Sequence, residues 1–436
     1  MWDLSCHWAV WRDIIIEIMY HSSNRKDAQS SLRVFTLFNR STTMNATQSP
    51  GESTGAAPSN RLRLIAGAFL ATLMMASLAT PTLAQVGGAA VVFLKIEPDS
   101  RAAGMGNAGV ALADNASATF WNPAGLAFQE GTELGLTHSN WLPEFNAGLF
   151  YEYLMAKKSV PGIGTFGAHI TYLFLGEHEG RDGQNNPTGT FRSYDLAVGL
   201  SYGFKVMPTL SLGTSLRFIY SNLAPGTSVE GQETKAGVAA AFDIAALYRS
   251  RPMNLGAAKG VLSAGFNLAN MGPEVQYSDS EQADPIPTNM RIGWAYTVDF
   301  DEFNRITIVN DFNKDLIKVD SLNNADPFYK AIFSSWSPIE VRTNALQDDA
   351  AELESLSVFE QMTIGVGLEY WYNSLFALRT GYFYENPYNG NRKFLTLGAG
   401  IRYNIIGVDF SYIYALEENS PLANTMRFSL LLNFAR

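Results

Sequence analysis

The C-terminal stretch MRFSLLLNF, residues 426–434, places Met426, Phe428, Leu430, Leu432 and Phe434 on one side and Arg427, Ser429, Leu431 and Asn433 on the other. Successive side chains of a strand point to opposite faces, so a period of two means β-structure. The pattern recurs upstream. In 395–403, Leu395, Leu397, Ala399, Ile401 and Tyr403 oppose Thr396, Gly398, Gly400 and Arg402; in 406–414, Ile406, Val408, Phe410, Tyr412 and Tyr414 oppose Gly407, Asp409 and Ser411. Charges sit mid-strand and aromatics gather near strand ends, the pattern of a barrel with lipid outside and a polar interior.

Working back from this run, fourteen strand-like segments are predicted: 131–138, 147–157, 161–175, 192–204, 209–221, 235–250, 260–269, 288–300, 304–313, 357–371, 374–384, 392–404, 406–414 and 424–435. The predicted fold class is all-β: a transmembrane antiparallel barrel over 131–436, preceded by a linker and a mostly small-residue segment over 91–126. An even strand count suits a bacterial outer-membrane barrel. The connections alternate in length. Long ones (139–146, 176–191, 222–234, 270–287, 314–356, 385–391, 415–423) belong outside, and short ones at the periplasmic end, with 251–259 the long exception.

Composition agrees. Of 436 residues 47% are hydrophobic and only 17% charged, below the roughly 25% of soluble domains. The net charge of -10 argues against nucleic acid as a partner. Residues 61–84 read as a secretory signal: Arg61 and Arg63, an apolar run over 64–78, then Pro81-Thr82-Leu83-Ala84 with cleavage expected before Gln85. Residues 1–60 show no pattern joined to the rest, and the expected translation start is Met44. The single cysteine, Cys6, lies in that extension, so a chain starting at Gln85 carries no disulfide or thiolate chemistry.

The predicted lumen-lining charges are Arg217, Asp243, Arg249, Glu369, Arg379, Arg402, Asp409 and Arg427. In lipid, each arginine near the midplane would cost roughly 2–4 kcal/mol. They form either a binding or conducting surface or a salt-bridge ladder that fills the barrel. Gly104-Met105-Gly106-Asn107-Ala108-Gly109 matches G-x-G-x-x-G, yet no βαβ pattern surrounds it; tight packing is expected of these glycines instead. Asp311, Asn313 and Asp315 begin like a calcium loop, but positions six and twelve are Leu316 and Leu322, so no metal is expected. His138, His169 and His178 form no metal-binding pair and no G-x-S-x-G occurs. No cofactor and no enzymatic activity are expected. In the loop 314–356, Phe328, Tyr329, Phe333 and Trp336 precede an acidic run with Asp348 and Asp349. These residues suit docking of a protein segment, or packing of the loop on its own barrel; loops 176–191 and 222–234 are expected to assist.

RAAGMGNAGVALAD (101–114) and ATFWNPAGL (118–126) resemble the N-terminal signature of the PorV/PorQ family, which is related to FadL-type outer-membrane barrels; Asn122, Pro123 and Ala124 resemble the FadL plug motif. Segments 326–333, 369–373, 377–385, 391–398 and 421–430 resemble the PorV branch of that family, whereas 1–44 departs from it. The resemblance implies a FadL-like fourteen-stranded barrel with a small N-terminal plug over 85–130, in the bacterial outer membrane, among outer-membrane lipids, serving type IX secretion. It implies that the barrel binds the C-terminal signal domain of cargo leaving the translocon barrel. It implies delivery to an attachment complex holding a PorU-type sortase with PorQ and PorZ-like proteins. A FadL-like channel for hydrophobic small molecules is the alternative.

Overall fold

The computed structural model describes residues 82–83, 88–181, 187–224, 228–229, 232–277, 283–320, 324–342 and 353–434. The expected extension, the signal segment apart from Thr82 and Leu83, the cleavage site at 84–85, and the acidic pair Asp348 and Asp349 lie outside these residues; Thr82 and Leu83 pair in parallel with Ile339 and Glu340.

Fourteen strands run antiparallel: β1 (Thr132–Asn140), β2 (Phe150–Val160), β3 (Gly164–Arg181), β4 (Pro187–Met207), β5 (Leu210–Asn222), β6 (Gly237–Arg249), β7 (Ala258–Met271), β8 (Asn289–Asp299), β9 (Asn304–Asp315), β10 (Met362–Tyr372), β11 (Phe376–Tyr384), β12 (Lys393–Tyr403), β13 (Ile406–Ala415) and β14 (Met426–Asn433). Each pairs with its sequence neighbours. Pairing of β14 with β1, with Leu430 opposite Leu136, closes the cylinder and removes the free edges an open sheet would expose. Expected and observed strands correspond one for one. The main differences are at β3 and β4, which extend as a hairpin to Arg181 and Pro187. The long turn-end connection is explained: Met253–Leu255 folds back on the start of β7 as an extra hairpin.

The alternation is obeyed strictly. In β6, Ala241, Asp243, Ala245 and Leu247 are buried, while Val238, Phe242, Ile244 and Tyr248 face out. Near the loop end, Phe150, Tyr172, Tyr194 and Tyr220 form a cross-strand ladder with ring centroids 5.7–6.1 Å apart. Near the turn end, Phe166 meets Tyr202 at 5.0 Å and Phe303 meets Tyr372 at 6.4 Å. Two such belts mark the two interfaces of a bilayer.

The lumen is filled from residue 88 onward. Helix α1 (Ser100–Ala103), helix α2 (Ala118–Trp121) and a 3₁₀ turn, Pro123–Phe128, pack inside the cylinder. Their apolar side chains join inward residues of the wall in one core, with Phe93, Leu94, Phe120, Trp121 and Leu126 against Tyr151, Tyr153, Leu173 and Ile219. The plug begins at the loop end, not at the turn end: the Ala90 amide donates to the Pro285 carbonyl at 2.9 Å, and Lys95 Nζ bonds Asp315 Oδ2, at the top of β9, at 2.5 Å. It then descends to Gln129, where β1 starts.

Candidate functional site

The plug is held by hydrogen bonds from its own backbone to wall side chains. Asp99 caps α1 by accepting the Ala102 amide at 3.1 Å, and its other oxygen accepts Trp121 Nε1 at 2.5 Å. One helical turn later the glycine motif crosses the lumen. Gly106 adopts φ +66°, where a side chain is disfavoured, and donates to Thr396 Oγ1 at 2.9 Å. Gly109 and Val110 both donate to Asp311 Oδ2, at 2.7 and 2.8 Å. The wall answers with glycines of its own: a Cβ at Gly365, Gly367 or Gly381 would run into the backbone of Met105 or Gly106. These glycines bring two backbones into contact; they cradle no nucleotide.

Asn122, Pro123 and Ala124 form the second latch. Asn122 Nδ2 donates to the carbonyls of Val110 (2.9 Å) and Ala246 (3.1 Å), and its Oδ1 accepts the Ala124 amide at 3.1 Å. Pro123 occupies the first position of the 3₁₀ turn, where no amide is needed. The Ala124 carbonyl accepts Ser211 Oγ at 2.7 Å. Ala116 donates to Glu133 of β1 at 2.7 Å, so the plug is tied to opposite walls.

Most of the lumenal charges pair. Glu369 and Arg379 sit opposite each other on β10 and β11 and meet at 2.7 Å. From the plug, Arg101 closes on the same carboxylate at 2.7 Å and also pairs with Asp114. Gly400 leaves the neighbouring wall bare, so Arg379 reaches past it to Asp409 at 2.8 Å, and Arg402 meets Asp409 at 2.5 Å. Across the barrel, Arg217 pairs with Asp243 at 3.0 Å, bonds Asn270, and donates to His169 Nε2 at 3.3 Å. Arg427 is fully buried, 3.9 Å from Glu97 and facing the Trp141 ring. Arg249 is exposed at the turn end, lining a cavity with Asp114, Asp299, Arg305 and Trp371. Of the two uses left open for these charges, Arg217, Asp243, Glu369, Arg379, Arg402 and Asp409 take that of a ladder along the wall, joined to the plug through Arg101; the Arg427 guanidinium makes no hydrogen bond and Arg249 lines the cavity instead. Burying such ions is repaid only by close pairing.

Asp311, read in the sequence as the start of a failed calcium loop, is the main plug anchor, and Asp315 holds Lys95. Among the described residues no group of three or more His, Cys, Asp or Glu side chains is placed to hold a metal ion. Arg101, Glu97, Asp311 and the wall glycines were missed as site residues. Asp311 shares the inward parity of Val309 and Thr307 on its strand, and that parity was the available signal.

The outer loop carries helix α3 (Phe328–Ser334) and the hairpin Ile339–Arg342 with Leu353–Leu356. Phe328 meets Phe242 of β6 edge-on at 6.0 Å. Trp336 donates Nε1 to the Ile332 carbonyl at 2.8 Å and lies 5.9 Å from Lys314 Nζ. Tyr329 and Phe333 remain exposed. The four aromatics therefore do not form one patch: two fasten the loop to the barrel.

A family model described as type IX secretion system protein PorV matches residues 82–321, from the plug through β9. The chain belongs to the PorV family. As a member of that family it is an outer-membrane component of the type IX secretion system. No curated protein matches the sequence. Solved barrels similar to this PorV-family chain include the Ralstonia pickettii toluene transporter TbuX (15% identity, 78% of this chain and 99% of that one, TM-score 0.41) and the P. putida toluene transporter TodX (11%, 78% and 99%, 0.44). A Pseudomonas aeruginosa FadL homologue is similar at 12% identity, over 77% of this chain and 98% of that one, with a TM-score of 0.38.

Proposed function

We propose that this barrel is the cargo shuttle of type IX secretion. It binds the C-terminal signal domain of cargo emerging from the translocon barrel and carries it to an attachment complex with a PorU-type sortase, PorQ and PorZ-like proteins. The chain acts by binding and release, and makes or breaks no bond. The segment 61–84 is removed on export, leaving Gln85 as the first residue of the working protein. The observation that supports the reading beyond family membership is the filled lumen. With plug and wall interlocked along their length, the surface available to a folded domain is the outer rim, where the long connections gather. Serial hand-over requires modest affinity, because each cargo has to leave for the next complex.

The test is to delete the gene and follow a reporter fused to a type IX signal domain. Retention of the reporter in the periplasm, restored to surface display by the full-length protein, is the expected result. Normal display in the deletion strain would sink the proposal. The competing channel reading is separated by liposome uptake: a shuttle passes no long-chain hydrophobic solute, a channel does.

A further inference from the structure

Helix α3 is fastened to the outside of the barrel. Phe242, against which Phe328 packs, alternates with the buried Ala241 and Asp243 and is 40% exposed on the lipid-facing surface of β6. Two residues beyond the end of the helix, Trp336 covers Lys314, which shares the outward face of β9 with exposed Phe312. Lys314 is buried there, its ammonium bonded to Gln361 Oε1 at 2.8 Å. The two anchors are therefore three strands apart. Three strand spacings amount to about 14 Å; the helix from Phe328 to Ser334 covers about 9 Å of this, and the two residues beyond it carry the chain on to Trp336. The helix thus lies across β6 to β9, along the barrel rim rather than up a strand.

One face of the helix, with Ala331 and the adjoining Ser335, is buried against the protein. The opposite face carries Tyr329, Lys330 and Phe333. Tyr329 is 64% and Phe333 79% exposed, as bare as Leu216 at 63% on the lipid-facing wall of β5. An aromatic pair flanking a lysine, on a helix lying along the rim, has the chemistry of an interfacial segment. The rings sit at the boundary of headgroups and acyl chains, and the lysine stem reaches back to the polar layer.

We infer that α3 is a membrane foot: Tyr329 and Phe333 enter the outer-leaflet interface and continue the lipid-facing band of β6 and β9. The foot pins the long loop to the bilayer and fixes the direction in which its hairpin projects. The inference rests on the barrel's place in a membrane and not on the shuttle reading.

The test uses the full chain in lipid nanodiscs, with Cys6→Ser removing the single cysteine and a nitroxide attached at F333C. Labels at L216C, on the lipid-facing wall, and at E418C, on the exposed outer loop, give the two limits. Power saturation compares collisions with oxygen and with a water-soluble nickel chelate. The expected oxygen-to-nickel ratio at 333 lies within twofold of that at 216 and at least threefold above that at 418, with Y329C behaving alike. A ratio at 333 equal to that at 418 overturns the foot. An aqueous label at 333 that becomes shielded only when a cargo signal domain is added also overturns it, and makes this face a protein-docking surface. Heat-modifiable migration of each labelled protein confirms that the barrel has folded.

Discussion

One carboxylate oxygen of Asp311 accepts both the Gly109 and the Val110 amide of the plug, at 2.7 and 2.8 Å, so a mid-wall acid of β9 holds the glycine motif from the lumenal side. Both donors are buried, and neither has another partner if the acid is lost. Asp311→Ala is expected to loosen this stretch of plug by on the order of 3 kcal/mol. Asp311→Asn keeps an acceptor oxygen and loses less. Hydrogen exchange of the Gly109 and Val110 amides reads the difference directly; wild-type protection in the alanine variant would count against the latch.

Glu369 serves two arginines, Arg379 from the next strand and Arg101 from the plug. Glu369→Ala leaves both guanidinium groups buried and short of a partner, at a cost of about 3–5 kcal/mol. The denaturant midpoint in detergent is expected to fall accordingly. A midpoint within error of the wild type would mean that the lumen rehydrates freely around these charges.

Gly381 is an inward position of β11 where a methyl group would meet the Gly106 backbone, whereas a Cβ on Gly88 meets nothing within 4 Å. Gly381→Ala is expected to destabilise by at least about 1–3 kcal/mol and to lower the yield of folded barrel in membrane fractions. Gly88→Ala is expected to be neutral. Equal yields from the two would show that the plug sits loosely.

Asp326, in the outer loop, is partly desolvated, which favours its neutral form. Hydrogen bonds from Lys330 and Ser334 outweigh this and hold its carboxyl below the ordinary aspartate range. A carboxyl depressed by folding stabilises the fold at pH above its unfolded value, and that contribution fades as pH falls through the folded one. Amide protection in α3 is therefore expected to be flat from neutral pH down to the usual aspartate range and to drop only in stronger acid. In Asp326→Asn the acid-induced drop should vanish. Protection that instead declines between pH 7 and 5 would point to another group.

Much of the fold was legible because a strand's two faces meet different solvents. Residues 395–434 state the alternation plainly, and the same parity read upstream gives the strand number, the lipid-facing side of each strand and the inward charges. Parity also placed Arg217, Asp243, Glu369, Arg379, Asp409 and Arg427 in the lumen. It could not say which charge meets which. Arg379 reaches Asp409 only because Gly400 is bare between them, and Arg101 joins from some 270 residues away along the chain. The two readings of the aromatic loop stayed open for a related reason. Phe328, Tyr329, Phe333 and Trp336 stand close in sequence, but the turn of the helix sets Phe328 on the barrel and Tyr329 and Phe333 outside, and the chain just past the helix brings Trp336 over Lys314.

The sequence by itself determined the barrel, its strand count and its family, since each is written in local period and local motif. Only the tertiary structure decided that the lumen is filled, that the plug starts from the loop end, and that a glycine motif and an aborted calcium loop are two halves of one latch. Those facts depend on contacts between residues hundreds of positions apart, and no local period records which distant backbone a bare glycine admits.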